Sequence, residues 1–216
     1  MSTPLKENRP PASPRRLASV ALLVCLLMLA MVGVAACGSG GGESSSDLKT
    51  YTDADYGYSF QYPAGWELKK GGTADVTAGG SAVSSVGVYD PKGAVAEDTY
   101  IDLAQVSVYK LNVNVDQSMM PDIRAEVEQV LASLESQSPD MKTVERLSET
   151  NVGGMPGFQV TYSFTKNGAP TTSTLYFLFK DNLEYQVTVQ AATQNWQAKQ
   201  AVFKALVASF RPGPAD

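Results

Sequence analysis

The stretch 158-FQVTYSFTKNGAPTTSTLYFLFKDNLEYQVTV-189 decides the fold. Phe158, Val160, Tyr162 and Phe164 alternate with Gln159, Thr161, Ser163 and Thr165, the period-two pattern of a strand with one face in a core. Lys166-Asn167-Gly168 supplies a tight hairpin turn, because Asn and Gly tolerate the positive φ that such turns demand. Thr171–Lys180 reads as the return strand and Asp181-Asn182 as a second turn. Leu183, Tyr185, Val187 and Val189 form the inward face of a third strand. In the middle strand Leu175, Phe177 and Phe179 are apolar on one phase, and Tyr176 and Leu178 on the other. A strand apolar on both phases belongs in the centre of a sheet, covered twice. The stretch is an antiparallel meander.

Working outward, "YGYSFQYPAGWEL" (56–68) predicts a strand near Tyr58–Tyr62, a turn at Pro63-Ala64-Gly65 and a strand opening at Trp66. "SAVSSVGVYD" (81–90) and "YIDLAQVSVYKL" (100–111) predict two more. In the second, Ile101 and Leu103 share one phase and Val106 and Val108 the other, which implies a bulge or a strand covered on both faces. "PDIRAEVEQVLASL" (121–134) predicts a helix with a stripe of Ile123, Val127, Val130, Leu131 and Leu134, and with Pro121 and acids toward its N-terminal end. A strand follows around Lys142–Ser148. "TQNWQAKQAVFKALVASF" (193–210) predicts a second helix burying Trp196, Val202, Phe203, Leu206, Val207 and Phe210. Thr193 or Asn195 would cap it and Pro212 would stop it. Helices set apart from a run of antiparallel strands make the fold α+β, an antiparallel β-sheet flanked by helices.

The N-terminal region has a different character. Residues 1–16 hold Lys6, Arg9, Arg15 and Arg16 against Glu7, and Leu17–Ala36 is a twenty-residue run without charge. As a helix that run spans about 30 Å, enough to cross a bilayer, with the basic end on the cytoplasmic side. It ends in Val34-Ala35-Ala36-Cys37. These four residues resemble the bacterial lipoprotein signal, an aliphatic residue, two small ones and a cysteine. The resemblance implies cleavage between Ala36 and Cys37, a diacylglycerol on the Cys37 thiol and further palmitate-type acylation of the new amine. The other reading is an uncleaved transmembrane helix. Arg15-Arg16 is a weak twin-arginine match, since Leu17-Ala18 lacks the bulky residue expected next. Gly38–Asp47 is a Gly/Ser-rich tether with a root-mean-square reach of about 17 Å. The organisation expected is a signal peptide (1–36), a lipidated cysteine and tether (37–47), one α+β domain (48–212) and a short tail (213–216).

Tyr56-Gly57-Tyr58-Ser59-Phe60-Gln61-Tyr62-Pro63-Ala64-Gly65-Trp66 resembles the opening of the PsbP-like group, and "FKALVASFRP" (203–212) resembles its closing helix. The order of strands, helix, meander and helix agrees as well. The resemblance implies an α/β/α sandwich around an antiparallel sheet, and relatives that bind or assist assembly and seldom catalyse. They include bacterial lipoproteins without an assigned role, notably in actinobacteria. Metal sites built on histidine in photosynthetic relatives do not carry over, because this chain has no histidine.

Composition narrows the chemistry. Loss of residues 1–36 takes the formal charge from −5 to −8, unfavourable for nucleic acid. The only cysteines are Cys25 and Cys37, so the region beyond them has no disulfide, thiol nucleophile or cysteine-ligated metal. No catalytic residue, metal site or cofactor is expected, and the chain is not read as an enzyme. Ser107/Lys110 and Ser163/Lys166 match Ser-x-x-Lys but fall on strands, where residues three apart face opposite ways. Asp53-Ala-Asp55 opens like a calcium loop, yet the sixth and twelfth positions are Tyr58 and Ala64, leaving incidental surface acids. Tyr58, Phe60, Tyr62, Trp66, Phe177 and Phe179 are either sheet core or the lining of an apolar ligand cavity. The function expected is a lipid-anchored, extracytoplasmic binding or accessory protein of the cell membrane that docks an envelope protein. The alternative is a carrier or sensor of an apolar small molecule held between sheet and helix.

Overall fold

The computed structural model describes residues 47–71 and 82–214. Val34–Cys37, the uncharged run and all of the Gly/Ser tether but Asp47 lie outside the described residues. The chain runs β1 (Leu48–Thr52), β2 (Ser59–Pro63), β3 (Glu67–Lys70), β4 (Ser84–Tyr89), β5 (Val95–Ala96), β6 (Thr99–Tyr100), β7 (Leu103–Lys110), α1 (Met120–Gln137), β8 (Lys142–Val152), β9 (Met155–Lys166), β10 (Ala169–Lys180), β11 (Leu183–Ala192) and α2 (Thr193–Ser209). Seven strands form one sheet in the order β3-β4-β7-β11-β10-β9-β8, every neighbouring pair antiparallel. The meander expected from 158–189 is β9-β10-β11, and its first turn holds Asn167 at φ 49° and Gly168 at φ 78°.

The register sorts the side chains onto two faces. Phe158 stands opposite Phe177, and Phe177 opposite Gln186. The apolar phase of β9 thus faces one way with Leu175, Phe177 and Phe179, and packs with Ile123, Val127 and Leu134 of α1. The apolar phase of β11 faces the other way with Leu178 and packs with Phe203, Leu206 and Val207 of α2. β10 contributes to both cores, as its double apolar phase requires. β7 keeps an unbroken register with β4 and β11, so its mixed phases reflect burial on both faces and no bulge. The layers are helix, sheet, helix.

Several boundaries differ from the sequence reading. α1 starts at Met120 and runs to Gln137, β3 starts after Trp66, and β8 extends to Val152. β1 and the small β5–β6 hairpin are additional. α2 is capped by neither Thr193 nor Asn195. The Asp102 carboxylate, 90 residues earlier, accepts the backbone N–H of Ala192 at 2.8 Å and Nδ2–H of Asn195 at 2.8 Å. Asp102 is fully buried, and its charge sits at the positive end of the helix dipole. Lys199 donates from α2 to Asp90 and lies over the Trp66 ring, 5.7 Å from its centre, so the β4–β7 connection is pinned to α2 at a second point.

Candidate docking edge and cleft

β1 and β2 form a hairpin outside the main sheet, with its aromatic phase turned into the α2-side core. Two bonds fix the parity of the pairing. Asp53 N–H donates to Tyr58 O at 2.8 Å, and Ala64 N–H donates to Asp47 O at 2.8 Å. In an antiparallel ladder the bonded residues alternate, so Lys49 and Tyr51 also face β2. The backbone N–H and C=O groups of Leu48, Thr50 and Thr52 point away from it. They find no partner among the described residues, and β1 is an open strand edge.

β2 is closed on its far side. Ser59 N–H donates to Arg211 O at 2.9 Å, Arg211 N–H returns to Ser59 O at 2.8 Å, and Gln61 N–H donates to Ser209 Oγ at 2.8 Å. The segment beyond α2 is a strap across the hairpin. The strap continues past the expected boundary at Pro212, since Lys180 Nζ donates to Gly213 O at 2.6 Å. Between hairpin and strap lies an open cleft of about 480 Å3, bordered by Thr50, Ser59 and Gln61 on one side and Ala208, Ser209 and Arg211 on the other. Arg211 folds its guanidinium back, donating from Nη1 to Ala208 O at 2.9 Å and Phe210 O at 2.7 Å. The open edge and the cleft share Thr50.

Asp53 holds the hairpin in place. It is buried, in contrast to the surface acid expected from the sequence. Its Oδ1 accepts N–H from Asp55 at 3.1 Å and Tyr56 at 2.8 Å; its Oδ2 accepts Tyr51 O–H at 3.1 Å and Ser84 O–H at 2.8 Å. Burial works to raise this carboxyl, but hydrogen bonds from Tyr56, Ser84, Tyr51 and Asp55 prevail and hold it below the ordinary range. Burial, with the neighbouring Asp53, pushes the Tyr51 phenol up to about 12. The carboxylate is fully used as a turn lock bonded to β4. Among the described residues, no group of three Asp or Glu comes together as a metal site.

The six aromatic candidates do not meet. Tyr58, Phe60, Tyr62 and Trp66 belong to the α2-side core, whereas Phe177 and Phe179 belong to the α1-side core across the sheet. A single cavity lined by all six is therefore corrected to two separate cores. Tyr58 stacks on Phe210 at 5.8 Å and meets Tyr185 edge-on at 5.9 Å, and Trp66 meets Phe203 edge-on at 6.2 Å. Such contacts fill space with rings. Both Ser-x-x-Lys matches do fall on strands, β7 and β9. Lys166 nevertheless has a buried Nζ with no hydrogen-bond partner among the described residues, and burial pushes it down to about 8. Sequence reading missed the open edge of β1 because only Tyr51 of its five residues is buried, a pattern too thin to stand out.

Residues 38–211 match the family model of the PsbP-like protein. No curated protein sequence matches the chain. Among solved structures, it is similar to cyanobacterial PsbP (CyanoP) from Synechocystis sp. PCC 6803, at 16% identity over 81% of this chain and 98% of that one, with a TM-score of 0.48. It is also similar to LpqN of Mycobacterium tuberculosis, at 15% identity over 78% of this chain and 91% of that one, with a TM-score of 0.53. LpqN is described as involved in cell envelope biogenesis. The match over most of the length, together with the layered helix–sheet–helix architecture, means that this chain belongs to the PsbP-like protein family.

Proposed function

We propose that the chain is a lipid-anchored, extracytoplasmic binding or accessory protein of the cell envelope, docking a protein partner along the open edge of β1. The observation that carries this reading is the row of outward backbone groups on Leu48, Thr50 and Thr52, beside a solvent-open cleft. An extended segment of a partner would complete the ladder there, gaining main-chain hydrogen bonds, while the cleft at Thr50 and Gln61 would take one of its side chains. The envelope involvement of LpqN agrees with this address. The tether ends where β1 begins, so the edge would stand within tether reach of the anchored Cys37. Rings packed against rings in the α2-side core favour a binding surface over a carrier of apolar cargo.

Two experiments test the two halves of this reading. Cys37→Ser is expected to abolish acylation and leave the precursor uncut in membranes, as read by intact mass and metabolic labelling with a fatty acid. Normal processing of that variant would refute the anchor. Thr50→Pro removes an N–H that bonds nothing among the described residues, so the fold is expected to survive. A photo-crosslinking residue at Thr52 is expected to yield a discrete adduct in the native host, reduced about tenfold in the Thr50→Pro background. Undiminished adducts would mean that the edge is not the docking element.

A further inference from the structure

The open cleft between the β1–β2 hairpin and the strap is polar and carries a positive charge. Thr50, Ser59, Gln61, Ser209 and Arg211 border it, and among the described residues no carboxylate does. Thr50 stands opposite Gln61 in the hairpin, and Ser59 stands opposite Arg211 of the strap. Ser59 and Gln61 are two apart on β2, so the four side chains start from one face of this small three-stranded patch. Ser59 and Arg211 exchange both backbone bonds, which sets their Cα atoms about 5.5 Å apart. In a chain whose formal charge is −5, the cleft is a local reversal of sign. Lys204, also exposed, lies one turn before Ala208 on the same face of α2 and adds to it.

The Arg211 guanidinium is only half used. Nη1 donates to Ala208 O at 2.9 Å and to Phe210 O at 2.7 Å, which occupies both of its hydrogens. Those carbonyls close α2 at the negative end of its dipole, and Nη1 covers them. The opposite edge, Nε with Nη2, has no hydrogen-bond partner and no carboxylate within ion-pair distance among the described residues. The hydroxyls of Thr50 and Ser59 and the side-chain amide of Gln61 are likewise unbonded among the described residues. Two bonds at Nη1 fix the plane of the group, so its free edge is held ready with little rotamer freedom left to lose.

We propose that the Ser59–Arg211 end of the cleft binds a phosphate group, carried by a soluble phosphomonoester or by a lipid headgroup. The Nε–Nη2 edge of a guanidinium matches two phosphate oxygens in one plane. A tetrahedral phosphate has further oxygens out of that plane for the Ser59 hydroxyl and the Gln61 amide, which a planar carboxylate lacks. A neutral ligand would leave the charge without a counterpart, and a cation would be repelled. The volume of about 480 Å3 admits a phosphate together with the glycerol or sugar that bears it. The lipid source rests on the proposed anchor, because a tether ending at β1 brings this cleft within reach of headgroups; the soluble source does not. The Thr50 end of the cleft stays free for a segment docked on β1.

The test uses the full chain, isotope-labelled in a maltoside detergent and without any partner, titrated with glycerol phosphate and with short-chain phosphatidylglycerol. Acetate and glycerol are the contrasts. At least one phosphate compound is expected to shift the Arg211 Nε–H and Ser59 backbone signals saturably, and the contrasts neither. A response to glycerol phosphate alone supports the site with a soluble ligand, and a tighter response to phosphatidylglycerol supports it with a headgroup. Arg211→Gln is expected to weaken the binding about tenfold. Arg211→Lys keeps the charge without the fork and is expected to weaken it nearly as much. If either disturbs the end of α2, read from the Val207 and Ala208 amide signals, Ser59→Ala takes its place with an expected loss of about threefold. Silence with both phosphates, equal shifts with acetate, or full binding by folded Arg211→Gln, Arg211→Lys or Ser59→Ala would overturn the proposal. Failure here leaves the docking edge standing, and failure of the Thr52 adduct leaves this site standing.

Discussion

Gly157→Ala is expected to destabilise the domain by about 3 kcal/mol or more. A Cβ at 157 would lie 1.9 Å from the carbonyl oxygen of Phe177, 2.9 Å from its carbon and 3.0 Å from the Cα of Leu178. All three are backbone atoms of β10, so no rotamer change relieves the clash. β10 cannot retreat either, because both of its faces are buried in the two cores. The pairing of β9 with β10 at Gly157–Leu178 would have to open, and the hairpin between β8 and β9 with it. Gly154→Ala is the control. It has nothing within 4 Å of its Cβ, and its φ of +86° makes the cost one of backbone strain, about 1 kcal/mol. Chemical denaturation of both variants measures the contrast. Equal midpoints would mean that β9 and β10 do not approach as closely as described.

The second large effect depends on pH. Burial pushes the Glu184 carboxyl up to about 7 from an ordinary value of 4.5, against a hydrogen bond from Gln186 that works to lower it. The folded protein therefore holds a proton that the unfolded chain has already released. The stability linked to that proton is complete below about pH 4.5, falls as pH rises, and is gone above about pH 7. The whole span is worth about 3 kcal/mol. Glu184→Gln keeps the shape and hydrogen-bonding atoms and removes the titration. At pH 8 it is expected to be more stable than the wild type by about 3 kcal/mol, with the difference closing by about pH 4. Urea midpoints across that range measure it. A constant difference would mean that Glu184 does not titrate in the folded state.

The contrast between what the sequence reveals and what it hides has a physical basis. The meander was legible because Phe158–Phe164 alternate cleanly and Asn167-Gly168 accepts positive φ, both local properties. The double burial of β10 was legible for the same reason, since its residues are apolar on both phases. β11 was only half legible. Alternation separates its two phases but does not say that the polar one, Glu184 to Gln190, is buried as well. That depends on its place between β7 and β10, which only the assembled sheet supplies. The cap of α2 was hidden because its carboxylate comes from Asp102, distant in the chain. The six aromatics were legible as buried, but not as two groups. Their assignment to opposite faces follows from the register and the position of the β1–β2 hairpin, both long-range facts.

The strap over β2 also sets the order in which the molecule can be finished. The partners of Ser59 and Gln61 are Arg211 and Ser209, the latter 148 residues downstream, and Tyr58 waits for the Phe210 ring. A chain emerging from its N-terminal end keeps the Tyr58–Tyr62 aromatics wet until almost the last residue has followed. Completion is thus a late, non-local event, intrinsically slow and vulnerable to off-pathway association. The first hairpin therefore reaches its final packing only after the last helix has arrived.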